Sequence, residues 1–208
     1  MKKKNVDPKA VTYIFLINRD LTEIPSWIFE KTVNVENLDL SHNAISKVPA
    51  GIGKLIKLKD LDLKHNKIDD VHPDIQKATK LESLALMSNN LPKIPEGVYR
   101  LPKLRAVDAS RNRIRGVSAN IALLKKLEVL NLIKNPLKYL PEEIGELTAL
   151  KWIYLEATLL TGLPKQIEKL ASSLSTLRLR DASLYAHNEG NLIGKGRIKE
   201  VFGNKAHF

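Results

Sequence analysis

Asn43, Asn66, Asn89, Asn112 and Asn135 stand 23 residues apart. Around each of them apolar residues recur in one register. Val35, Leu38, Leu40 and Ile45 frame the first, and Leu58, Leu61, Leu63 and Ile68 the second. Leu81, Leu84, Leu86 and Leu91 follow, then Leu104, Val107, Ala109 and Ile114, then Leu127, Leu130, Leu132 and Leu137. A unit this short cannot bury its own apolar face, so such a chain folds by stacking its units against one another.

Each unit has two halves. In the first, apolar residues alternate with other types, the period of a short strand. The second reads apolar-Pro, with apolar residues three and six positions on, as in Val48-Pro49, Ile52, Leu55. Ile94-Pro95, Val98, Leu101 and Leu140-Pro141, Ile144, Leu147 repeat it. That spacing suits one or two helical turns, and proline is tolerated in a first turn. Weaker copies flank the five. Val11, Ile14, Leu16 and Leu21 carry Arg19 at the asparagine position; Leu150, Ile153, Leu155 and Leu160 carry Thr158; Leu174, Leu177, Leu179 and Leu184 carry Ala182. Atypical end units are expected because they cap the stack.

This pattern resembles the leucine-rich-repeat family, in its 23-residue Ile-Pro subtype. The resemblance implies an α/β solenoid: a curved stack with a parallel β-sheet on its concave face and short helices or 3-10 turns on its convex face. It implies buried asparagines whose amides bond the backbone of adjacent turns, as a buried amide requires. The chain divides into a basic N-terminal tail at 1–10, a solenoid of about eight repeats at 11–184, and a capping tail at 185–208.

The register predicts which side chains leave the core, because successive strand residues face opposite ways. The outward third positions are Tyr13, Asn37, Asp60, Ser83, Ala106, Val129, Trp152 and Thr176. The fifth are Phe15, Asp39, Asp62, Ala85, Asp108, Asn131, Tyr154 and Arg178; the seventh are Ile17, Ser41, Lys64, Met87, Ser110, Ile133, Glu156 and Arg180. Sheet-borne aromatics facing solvent point to a contact surface, and Trp, Tyr and Arg are the favoured anchors of interfaces. The expected partner site is therefore Trp152, Tyr154, Ile133, Val129 and Met87 as apolar contacts, with Asp39, Asp62, Arg178 and Arg180 orienting the partner. The competing expectation is that a loop or the C-terminal tail covers these rings. For Tyr13, Phe15 and Ile17 an N-terminal cap is the corresponding alternative.

No catalytic group is expected. The chain has no cysteine, which removes thiol nucleophiles, disulfides and thiolate metal sites. Asp39 and Asp62, on adjacent strands, approach the spacing of a glycosidase pair, but an open sheet supplies no water-excluding pocket. His42 and His65 occupy equivalent positions; a metal there would need further ligands, and Lys64 and Lys67 disfavour one. Around Gly194-Lys195-Gly196 neither a phosphate-binding loop nor a kinase glycine-rich loop is complete. Ile198, Val201 and Phe202 instead lie on one face of a short helix, which Gly203 would end.

The net charge is +11, of which residues 1–10 and 172–208 each hold +3 and residues 11–171 hold +5. A second reading follows from the terminal excess: a basic surface docking on membrane or nucleic acid through residues 2–4 and 195–205. Neither a secretory leader nor a membrane span is legible. The expectation is a monomer without cofactor or metal, binding a protein rather than a small molecule. Its place would be the cytoplasm, or a host cell reached without a signal peptide. The last expectation comes from the tail, which resembles the ends of repeat proteins of intracellular bacteria, some of them injected effectors.

Overall fold

A computed structural model of the chain describes residues 7–182, 184 and 192–208. Lys2, Lys3 and Lys4 of the basic N-terminal segment and residues 185–191 of the tail lie outside the described residues.

Eight three-residue strands form at the predicted register: β1 Tyr13–Phe15, β2 Asn37–Asp39, β3 Asp60–Asp62, β4 Ser83–Ala85, β5 Ala106–Asp108, β6 Val129–Asn131, β7 Trp152–Tyr154 and β8 Thr176–Arg178. They lie side by side in chain order, all parallel, with Tyr13, Asn37, Asp60, Ser83, Ala106, Val129, Trp152 and Thr176 in one row. The central residue of every strand is buried and its two neighbours are not. That alternation fixes one face toward the core and leaves the other uncovered.

The second halves of the repeats form short helices. Trp27–Lys31 is an α-helix, α1, and Ala50–Lys54, Pro73–Lys77, Glu96–Arg100, Ala119–Leu123, Glu142–Glu146 and Lys165–Leu170 are 3-10 helices. Proline stands just before or at the start of most of them, where a missing N–H costs nothing. Adjacent helices pack closely: a Cβ on Gly97 would sit 2.6 Å from the Pro73 carbonyl oxygen, so only glycine fits there. Between sheet and helices one apolar core runs from Ile14 to Phe202.

The asparagines lock the turns after the strands. The Asn112 Nδ2 donates to the carbonyls of Leu86 (2.9 Å) and Ala109 (3.1 Å), and its Oδ1 accepts the Leu91 N–H (3.0 Å). Asn66, Asn89 and Asn135 make the same set. Asn89, Asn112 and Asn135 are buried, whereas Asn43 and Asn66 are half-buried with their bonds intact. The residue before each asparagine adopts a left-handed turn, φ 52 to 57°, in His42, His65, Ser88, Arg111 and Lys134. At Thr158 a single bond to the Leu155 carbonyl (2.8 Å) replaces the set.

Residues 192–208 pack against the last repeats. Helix α2, Lys195–Phe202, buries Ile198 and Phe202, and Gly203 (φ 52°) follows it. Arg197 clamps Glu168 with two bonds, Nε–Oε1 2.8 Å and Nη2–Oε2 3.0 Å. Leu192–Ile193 pairs antiparallel with Leu163–Pro164. Sequence reading missed the last step: Ala206–His207 forms β9, which adds to β8 in parallel and makes the sheet nine-stranded. Two residues carry no period, so no pattern could announce them.

Candidate functional site

The open face of the sheet is a mosaic of three zones, set by which residue type each repeat places at its outward positions. The first zone is aromatic. Tyr13 and Phe15 are 58% and 62% exposed, and Ile17 is 42% exposed, so none of the described residues covers them. The two rings stack with centroids 6.4 Å apart.

The second zone is acidic. Asp39, Asp60 and Asp62 line a shallow hollow of about 160 Å³ beside Phe15. Burial, and the nearby Glu82, push the Asp60 carboxyl up. Asp39 and Asp62 are each partly engaged by their own chain. Each accepts the backbone N–H two residues on, Ser41 to Asp39 (2.9 Å) and Lys64 to Asp62 (3.0 Å). Asp108 and Asn131 make the same bond. The fifth position favours Asp or Asn because that side chain ends the strand. The second Asp62 oxygen lies 3.0 Å from the Lys64 ammonium. The spacing of these residues held that signal, at positions 39, 62, 108 and 131.

The third zone unites most of the residues expected to hold a partner. Val129 stands beside Trp152, and Asn131 beside Tyr154. Val129, Ile133, Trp152 and Tyr154 are half-buried, and Arg178 and Arg180 are exposed. The Arg178 guanidinium lies 5.6 Å from the Tyr154 ring centroid, and the Lys151 ammonium 5.8 Å from that of Trp152. Both are within cation–π range. Arg178 also reaches Glu156 at 4.0 Å. Met87 is half-buried on β4's continuation, two strands away from Val129, so it borders the zone rather than joining it. The described part of the tail does not lie over the rings. Its bonds go to Leu163–Pro164, Glu168, Ala171 and β8, at the end of the stack.

The His42 and His65 rings stack at 4.3 Å, 20° from parallel. Among the described residues no group of three or more His, Cys, Asp or Glu side chains could hold a metal. No helix among them is long and apolar enough to cross a membrane. The cations of the described tail are engaged in the cap: Lys195 and Lys199 lie 4.7 and 5.6 Å from the Phe208 ring, and Lys205 donates to the Ala171 carbonyl (2.7 Å).

Comparison with known proteins follows the same geometry. The leucine rich repeat family profile matches residues 10–68, 33–91 and 56–114, which together span just over half of the chain. A leucine-rich-repeat protein of Leptospira interrogans is similar in structure, with TM-score 0.71, 28% identity, and 91% of this chain aligned to 52% of that one. The plant peptide hormone receptor RGFR1, solved in complex with RGF2, aligns 29% of its length to 85% of this chain at 30% identity and TM-score 0.73. An internalin C2 of Listeria monocytogenes shares the fold, at TM-score 0.76 and 18% identity, over 89% of this chain and 80% of its own. The chain thus spans about half of the Leptospira protein and under a third of the plant receptor. Comparison with curated proteins returned no match. With a nine-stranded parallel sheet, an asparagine ladder at the 23-residue period and a matching profile, the chain belongs to the leucine-rich-repeat family.

Proposed function

We propose that this protein is a non-catalytic interaction module that holds a partner protein against its concave sheet, with Trp152 and Tyr154 at the centre of contact. Leucine-rich-repeat proteins are generally protein-interaction modules, and one similar structure is a receptor in complex with its peptide. One observation carries the reading: the sheet register brings Val129, Ile133, Trp152 and Tyr154 together, half-buried and flanked by cations. Rings that are already braced by neighbours lose little freedom on binding, which favours them as anchors. Arg178 and Arg180 would orient the partner from one side. Asp39 would do so from the other with the oxygen not used in its own turn, while Asp62 is largely engaged by its own chain.

The test is capture of a partner by the wild-type chain beside Trp152→Ala/Tyr154→Ala. Loss of two central anchors should weaken binding by about a hundredfold or more. Unchanged capture by a variant that still unfolds cooperatively would defeat the reading. A narrower form, a bacterial protein acting inside a host cell, draws on the tail resemblance and on the Leptospira neighbour. It would be tested by following a tagged chain from bacterium to host cytosol. Docking on membrane or nucleic acid through 195–205 is the weaker reading, because those cations already serve the cap.

A further inference from the structure

The turns that follow β5 and β6 carry Arg111, Arg113, Arg115, Lys134 and Lys138, with no acid in residues 111–116 or 134–139. All five are exposed. Among the described residues none of them is in an ion pair. Residues 113–115 run exposed, buried, exposed, with Ile114 inside, so Arg113 and Arg115 leave the chain on one side, and Arg111 stands in the left-handed turn just before them. The Arg111 N–H bonds the Ile133 carbonyl (2.7 Å) and the Lys138 N–H bonds the Arg115 carbonyl (3.0 Å). Those bonds set the lysines beside the arginines in the next turn. Tyr139, 60% exposed, lies so close over Gly116 that a Cβ there would collide with its ring. The result is a short cationic row beside an aromatic shelf.

We propose that this flank of the fifth and sixth repeats is a second docking site, and that its occupant is an extended acidic peptide segment of a partner protein. The site is independent of the concave face and needs neither Trp152 nor Tyr154. Alternate residues of an extended chain repeat at about 6.6–6.8 Å. Acids at every second position of such a segment therefore match Arg113 and Arg115, and Arg111 adds its charge from the turn before them. Guanidinium forks take carboxylates in two-point bonds, and these forks have no partner of their own to give up. The extent of the row selects against a long polyanion. On the same flank Asp69 and Asp70 stand two repeats to one side, and Asp181 two repeats to the other. A nucleic-acid strand running along the stack would meet both.

The experiment is fluorescence anisotropy with the full chain and a short labelled peptide in which Glu alternates with Ser. The wild type should bind it and should bind the Gln-for-Glu peptide at least about tenfold more weakly. R111Q/R113Q/R115Q should lower affinity by about tenfold or more. Arg111 sits in a left-handed turn, so R113Q/R115Q, which spares that turn, is measured beside it and should lose an intermediate amount. K54Q/K57Q/K80Q removes the same charge from exposed sites elsewhere and should change affinity by less than about twofold. W152A/Y154A should leave it unchanged. The proposal falls if the wild type ignores the peptide, if the distant lysine triple costs as much as the arginine triple, or if an oligo-dT strand binds more tightly than the peptide.

Discussion

On the flank that leads into the strands, Glu36, Lys59, Glu82, Arg105, Glu128 and Lys151 follow one another with alternating sign, each stacked on the last by a backbone bond. Lys59 reaches Glu36 at 2.6 Å, and Glu128 is held by both Arg105 and Lys151. On the opposite flank the turns are locked from inside by asparagine amides, and the outward Arg111, Arg113, Arg115, Lys134 and Lys138 touch no counter-charge among the described residues. Five of these six charges pair with one another on the first flank itself. The second is secured by buried hydrogen bonds, so its surface residues carry no structural duty and are available to a visitor. In a solenoid the free surface lies where the lock is internal.

The largest effect expected is on that internal lock. Asn112→Ala strips partners from the Leu91 N–H and from the Leu86 and Ala109 carbonyls in a buried turn. It should cost about 3–4 kcal/mol in urea unfolding. A loss under about 1 kcal/mol would show that water replaces the amide and that the contrast between flanks is illusory.

Acid should erode the other flank next. The Lys59 ammonium holds Glu36 below the ordinary 4.5, and Lys151 and then Arg105 do so for Glu128. Arg197 does the same for Glu168 in the cap. Groups whose folded value is lowered lend stability above about pH 4.5 and lose it as pH falls through that lowered value. Asp60, raised by burial and Glu82, offsets part of this. The melting temperature should therefore drop below pH 4.5, and Glu36→Gln/Glu128→Gln should flatten the fall. An unaltered slope would remove these pairs from the account.

Glu128→Gln alone leaves Arg105 and Lys151 facing each other without their shared partner. Melting temperature should decline at low salt and recover as salt rises, since exposed pairs are screened. The smallest effect belongs to the asparagine flank's exterior. R111Q/R113Q/R115Q should shift unfolding by no more than about 0.5 kcal/mol. A larger shift would mean those arginines do have structural work.

Much of this was legible in the chain. Eight strands, the helical second halves and the outward rows all follow from a period that leaves one register able to bury every leucine. Trp152 and Tyr154 could be placed on the sheet face from that register alone. Asp39 and Asp62 were placed on the sheet face from the register, but the backbone N–H that each accepts from its own turn was not read from the chain. The +5 of residues 11–171 was legible as a sum, but which of its charges stand unpaired was not. Net charge does not say which acids and bases pair, and pairing here depends on neighbours 23 residues away.

By itself, then, the sequence determined the repeat, the side each residue faces and the need for caps. Those depend on local periodicity and on the cost of leaving apolar area in water. Only the tertiary structure decided which charges cancel, how Tyr139 lies over Gly116, and that Ala206–His207 adds a ninth strand. Each of these is a contact between turns, set by the distance between side chains that stacking brings together.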